Sequence, residues 1–338
     1  MNPSNETSTS STGTQCDLPA HTEGLLSLAD LQLFHHFVTS TYRTLSEDEH
    51  GHPLWQIHVP QWSITFSSIL HLILALSALH RGHEQPELRD QLIEQADQHF
   101  TFGVTSVTSV LSQFELTPEN AQPIYISAIL ICIIYFARGP RPGEFLLFSD
   151  TGQAEWLVLL RGVRFIVETQ RQNIFKGVML PNTNESQSQQ PHINAESQEA
   201  WREDRRHLLE TQHLVRERSA DAAQGDMHAS LVDALIQSFE DVYLKMSAGT
   251  DRTGLLQIVV GWLYRLPEEY ISLLQQKEPC ALTVLAYWTI LVQQMRPVWF
   301  MRNWDYHVID GILHTLQGDW KECVSWPVRR IQSIEPPE

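Results

Sequence analysis

Residues 71–84 read HLILALSALHRGHE, and the groups in it that can do chemistry are three imidazoles, His71, His80 and His83, and the carboxylate of Glu84. His80 and His83 stand three apart, which places them on one side of a helix, where two imidazoles can share a metal ion. The order departs from H-E-x-x-H, because the acid follows the second histidine, and no second ligand pair stands nearby. The stretch therefore reads as an apolar core helix whose histidines mark its ends, a cation being favoured at the C-terminal end. No metal is expected. His35, His36, His50, His52 and His58 fall in other elements and take the same reading.

Other routes to catalysis meet the same result. There is no G-x-S-x-G elbow and no S-x-x-K, and Cys132 lies in an apolar run that disfavours a thiolate. A P-loop and a G-x-G-x-x-G turn are absent, and FEDVY and REDRR supply no aspartate pair at helical spacing for Mg²⁺. No catalytic residue and no cofactor are expected. What does gather is aromatic surface near the C-terminus. Tyr287, Trp288, Met295, Trp299, Phe300 and Trp304 mix rigid rings with a flexible thioether, as apolar pockets do, and Arg302 and Asn303 stand ready to meet a ligand's polar end. These eight residues are the candidate ligand-binding set for a sterol- or terpenoid-like molecule. Ordinary core packing is the competing reading.

The elements that would position them are helices. Ser27 and Asp30 have capping-box spacing, with Leu28, Leu31 and Phe34 opening an apolar stripe. From Pro86 the positions Leu88, Leu92, Ala96, Phe100, Val104, Val107 and Leu111 recur every three or four residues, one face of a long helix. Another helix opens near Pro118 and is apolar on nearly every side through Phe136, which makes it central. ARGPRPGE, at 137–144, is a loop; GQAEWLVLLRGVRFIVETQ resumes helical periodicity. Residues 181–198 are polar and low in complexity, a loop too poor in apolar residues to pack. The charged run WREDRRHLLETQHLVRER predicts an exposed helix, and further helices follow near 231–246, 255–264, LPEEYISLL, PCALTVLAYWTILVQ and WFMRNWDYHVIDGILHTL. No period-two segment stands out, so the fold class is all α.

Composition narrows the partners. Forty acidic against 23 basic residues give a net charge of −17, which repels phosphate backbones, so direct nucleic-acid binding is not expected. Cys16, Cys132, Cys280 and Cys323 form no close pair, which fits a reducing compartment. Residues 1–24 carry neither a basic start nor an apolar h-region and read as a disordered tail, followed by one all-α domain over 25–338. The longest apolar stretches are short of the ~18–20 residues of a bilayer span, so no membrane is expected.

Three segments, LLSLADLQLFHHFVTSTYRTL, PLWQIHVPQWSITFSSILHLILALSALHRGHEQPELR, and ALTVLAYWTILVQ with WFMRNWDYHVIDGIL and GDWKECVSWPV, resemble the regulatory domain of fungal zinc-cluster transcription factors, in particular the branch of the sterol uptake control proteins. The resemblance covers roughly 25–138 and 254–330. It implies an all-α, ligand-responsive regulatory module, nuclear or cytoplasmic, with an apolar ligand in its C-terminal half and either a dimer partner or proteins of the transcription machinery as partners. The family's segment of six closely spaced cysteines is not in this sequence, which implies either a piece of a longer factor or a member without its DNA reader, acting through protein contacts. Relatives commonly carry glycines where this chain has Asn303 and Asp305, and the larger side chains narrow a cavity edge there. The alternative is an enzyme of a secondary-metabolite pathway, cyclase- or pericyclase-like, which orients an apolar intermediate in a closed cavity without a motif.

Overall fold

Ser27 starts the first helix as its spacing to Asp30 predicts: its hydroxyl accepts from the Asp30 amide at 3.1 Å and the Asp30 carboxylate accepts from the Ser27 amide at 2.9 Å. In the computed structural model, which describes residues 26–46, 52–113, 116–180, 192–250 and 252–333, this cap opens α1, Leu28–Thr39. A π turn at Leu54–His58 leads into the short α2, Val59–Ser63. Then come α3, Ser67–Glu84, and α4, Arg89–Gln113, an antiparallel pair packed along its length. Gly103 lets α4 approach closely, because a side chain there would meet Leu72 of α3. Helix α5, Ala121–Ala137, lies against α3 and against α6, Glu155–Ile174. Its apolar surface on all sides matches its central place, with Ile126, Leu130 and Ile134 at most 1% exposed.

The second half follows the same rules. Helices α7, Ala195–Arg218, and α8, Ala222–Ser247, pair through Trp201, Asp204, Leu208, Thr211 and Val215. Helices α9, Leu256–Tyr264, and α10, Glu268–Gln275, are short. Helix α11, Pro279–Gln293, starts with the Glu278 carboxylate capping the Ala281 amide at 2.6 Å and is buried at every residue from Cys280 on. Around it stand α8, α12 (Trp304–Thr315), α13 (Trp320–Cys323) and α14 (Ser325–Gln332). One cluster of buried apolar side chains runs from Leu33 to Ile331, joining the two halves. No β-strand forms among the described residues. Only isolated bridges join Arg141 to Glu144 and Glu144 to Ser149, inside the loop that the two prolines and two glycines predict.

Three expectations change. Leu28 and Leu31 are 74% and 51% exposed, and α1 docks instead through Leu33 and Phe37, so the buried stripe sits on another side of the helix. The polar loop expected over 181–198 ends early, because the Asn194 side chain caps the Ser197 amide and α7 begins at Ala195; residues 181–191 and the N-terminal 1–25 lie outside the described residues. The segment WFMRNWD is not continuous helix. A 3-10 turn at Trp299–Met301 is followed by Asn303 at φ +66°, a left-handed conformation that glycine adopts freely and asparagine tolerates. Asp305 has a different role, described below.

Candidate functional site

The eight candidate ligand residues divide among three surroundings. Trp288 lies in the core of the second half, stacked on Trp262 at 6.3 Å, with its indole N–H donating to the Val259 carbonyl at 2.9 Å. Met295 is fully buried, and Tyr287 is buried on α11 facing Thr211 of α7. Trp304 reaches the other way, into the first half: its N–H donates to the Phe136 carbonyl at 3.0 Å, and its ring stacks on Tyr135 and meets Phe136 edge-on. Trp299 and Phe300 form the third group. Trp299 is half-buried, donates to the Thr44 hydroxyl at 3.0 Å, and covers the rings of His80 and His83 at 5.0 and 5.8 Å. Arg302 is half-buried beside His83, and Asn303 is exposed.

The bend between α11 and α12 is held by a buried ion pair. The Arg296 guanidinium donates to the Asp305 carboxylate at 2.6 Å and to the Ile331 carbonyl at 2.9 Å, tying α11, α12 and α14 together. Burial pushes the Asp305 carboxyl up, against the pull of Arg296. Asp305 is thus a strut of the fold rather than a wall of a cavity.

The histidines of the opening stretch do not converge. His71 pairs with His99 of α4, Nδ1 to Nδ1 at 3.0 Å, and His99 Nε2 contacts the Asp30 carboxylate at 3.1 Å. Asp30 only accepts, so His99 donates to it from Nε2 and takes the His71 proton at Nδ1. One side chain therefore caps α1 and anchors it to α4 and α3. His80 instead meets His36 of α1 at 3.2 Å and Thr41 at 3.1 Å, with Glu84 3.5 Å from His36 and 3.7 Å from His80. Burial lowers the His80 pKa to about 4, with His36 and His83 adding to the effect. The expectation of a cation at this helix end is overturned for His80, because desolvation outweighs the dipole. His36, His71, His83 and His99 are lowered by burial as well. Burial also drives the Cys132 thiol up to about 12, as its apolar run predicts.

Beside the His36–His80 contact, an open groove of about 370 Å³ is lined by Leu28, Leu31, Gln32, His35, His36 and Arg81. A wider one of about 600 Å³ runs along α7 past Arg202, Arg205, Arg206, Leu209, Glu210 and His213. Neither is lined by the eight candidate residues. The meeting of α1, the end of α3 and the 299–301 turn joins positions as far apart as Thr44 and Trp299. Sequence reasoning could not place it, since no local spacing records such a contact. The one available signal was the His35-His36 doublet, of which His36 makes the contact and His35 is exposed.

Comparison with known proteins bears on what this arrangement serves. A family model described as fungal specific transcription factor domain matches residues 32–222. The match runs through 139–222, which the sequence resemblance left out, and ends short of 254–330. Over 335 residues the chain is 24% identical to a Zn(2)-C6 fungal-type transcription factor of Gibberella zeae, covering 89% of this chain and 61% of that protein. Over 155 residues it is 31% identical to Sterol uptake control protein 2 of Saccharomyces cerevisiae, covering 44% of this chain and 16% of that protein. The chain thus spans less than two thirds of the length of either relative.

Proposed function

We propose that this chain, which belongs to the fungal specific transcription factor domain family, is the ligand-responsive regulatory module of a transcription factor and acts in the nucleus through contacts with other proteins. The observation that carries the reading is the family match over 32–222, on an all-α domain in which polar groups such as Asp30, His99, Arg296 and Asp305 join helices. No described helix is long and apolar enough to cross a membrane. The strongly acidic surface favours protein contacts over DNA contacts.

For the ligand, the entrance consistent with this fold is the 299–303 segment. Trp299, Arg302 and Asn303 stand at the edge, and Phe300, Trp304, Met295, Trp288 and Tyr287 are buried. An apolar ligand with one polar end would seat its rings against the aromatics and its polar group by Arg302 or Asn303. The relative named Sterol uptake control protein 2 supports a sterol as the first compound to try. Thermal shift against sterols and terpenoids tests this. A bound ligand raises the unfolding midpoint, by an amount equal to about 2.7 kcal/mol at a hundredfold excess over its Kd, and Trp299→Ala should remove that shift. A flat response of the unaltered chain to the whole panel removes ligand sensing at this segment. Trp288→Ala separates packing from pocket: loss of about 3–5 kcal/mol is the cost of a cavity in a solid core, whereas a smaller loss with retained ligand response marks a ring that borders free space.

A further inference from the structure

Away from the candidate ligand residues, the start of α11 faces a histidine whose second nitrogen has nothing to bond. His228, on α8, is wholly buried. Its Nδ1 lies 2.9 Å from the Ser219 hydroxyl, and that hydroxyl donates its own proton to the Val215 carbonyl at 2.6 Å. Ser219 Oγ must therefore accept, so the imidazole carries its proton on Nδ1 and its lone pair on Nε2. Nε2 is buried with no hydrogen-bond partner. Nearest to it is the Glu278 carboxylate, at 3.9 Å, beyond hydrogen-bonding range and on an oxygen already capping α11. Cys280, buried two residues further on, completes the group, and one ligand atom from each residue lies within 4.8 Å of the other two.

We propose that His228, Glu278 and Cys280 bind a zinc ion. A buried acceptor without a donor is costly, and a cation is the partner that a lone pair, a carboxylate and a sulfur share. Imidazole, carboxylate and thiolate are all zinc ligands, and a tetrahedral ion leaves its fourth position to water. Tetrahedral coordination needs the donor atoms roughly 3.3–3.7 Å apart, so the three side chains close in by up to about 1.5 Å. The Ser219 bond supplies the outer contact that fixes the ring orientation and tautomer of metal-binding histidines. The Cys280 thiol, raised by burial to about 12, gives its proton to solvent as the ion binds, because the metal's charge reverses the local preference. The ion would clamp α8 and the α7–α8 turn to the first turn of α11, the most buried helix of the chain. The other histidine group, His36, His80 and Glu84, does not share this signature, since its ring nitrogens already bond to one another and to Thr41.

Cobalt substitution tests the site. The chain, freed of metal by chelator dialysis, is titrated with Co²⁺ and then Zn²⁺ while the thiolate-to-cobalt charge-transfer band and the visible d–d bands are recorded. The expected result is one equivalent of tetrahedral cobalt with a thiolate band, displaced by zinc. Cys280→Ser should abolish the band and weaken binding roughly tenfold or more, and Glu278→Gln should weaken it as well. A second variant, in which Cys16, Cys132 and Cys323 are replaced and Cys280 is kept, must retain the band, so the assignment does not depend on Cys280→Ser folding. Absence of a thiolate band in the unaltered chain overturns the proposal, as does a band lost with the other three cysteines or with His36→Ala.

Discussion

His80 shows how a single side chain can be set by its surroundings against its local sequence. At the C-terminal end of α3 the helix dipole favours the imidazolium, yet the ring is 5% exposed and wedged between His36, Thr41 and Trp299, and its pKa falls to about 4. The consequence for stability has a definite sign. Above pH 6.5, the ordinary value, the ring is neutral both folded and unfolded and contributes no pH dependence. Below it the unfolded chain takes up a proton that the fold refuses, so stability falls with pH down to about 4. At about 1.4 kcal/mol per pH unit this amounts to about 3 kcal/mol for His80 over that interval. The other buried histidines act in the same direction, whereas Asp204 and Asp305, raised by burial, act oppositely in the carboxylate range. Comparison with His80→Gln isolates the one group. Urea midpoints of the unaltered chain should drop more steeply between pH 6.5 and about 4 than those of the variant; parallel curves would contradict the assignment.

At the scale of elements, helix existence was legible in the sequence and helix facing was not. The capping box at Ser27, the periodic residues of α4 and the all-round apolar surfaces of α5 and α11 are local signals, and each produced the helix it predicts. The facing of α1 was misjudged because Leu28 and Leu31 look as apolar as Leu33 and Phe37; only the partner helix decides which pair is buried. The break at 303 escaped periodicity because it rests on one residue's φ. The division of the candidate residues between two core regions depends on the Arg296–Asp305 strut, which has no sequence signature, and on loop 138–154, whose prolines and glycines predict a loop but not what it packs against. That loop gives an element-scale prediction. Gly311 of α12 faces the Phe145 ring, and a methyl group there would collide with it. Alanine is the better helix former by about 1 kcal/mol, yet Gly311→Ala should lower the unfolding midpoint, overpacking costing about 1–3 kcal/mol. Adding Phe145→Leu should recover part of the loss. An unchanged or raised midpoint in the single variant would show that α12 and the loop are not in close contact.

The whole molecule joins its N-terminal and C-terminal thirds through one continuous apolar core and carries a net charge of −17. Such a core makes distant surfaces sensitive to one another: Trp299 and Trp304, five residues apart, contact α1's neighbourhood and α5 respectively, so a change at the 299–303 segment reaches both the α3–α4 pair and the α5–α6 layer. That is the property a regulatory module requires, a bound ligand on one side altering the surface offered to a partner on another. The same negative charge disfavours contact with DNA, so regulation by this chain has to be measured with DNA recognition supplied from outside. The most direct measurement is a tethering assay in fungal cells, with the chain fused to an unrelated DNA-binding domain and a reporter gene carrying that domain's sites. A reporter output several-fold above or below that of the DNA-binding domain alone, altered by Trp299→Ala without a change in protein level, is the result expected of a regulatory module. A reporter indistinguishable from the DNA-binding domain alone, with the fusion folded, nuclear and bound at the sites, would contradict it.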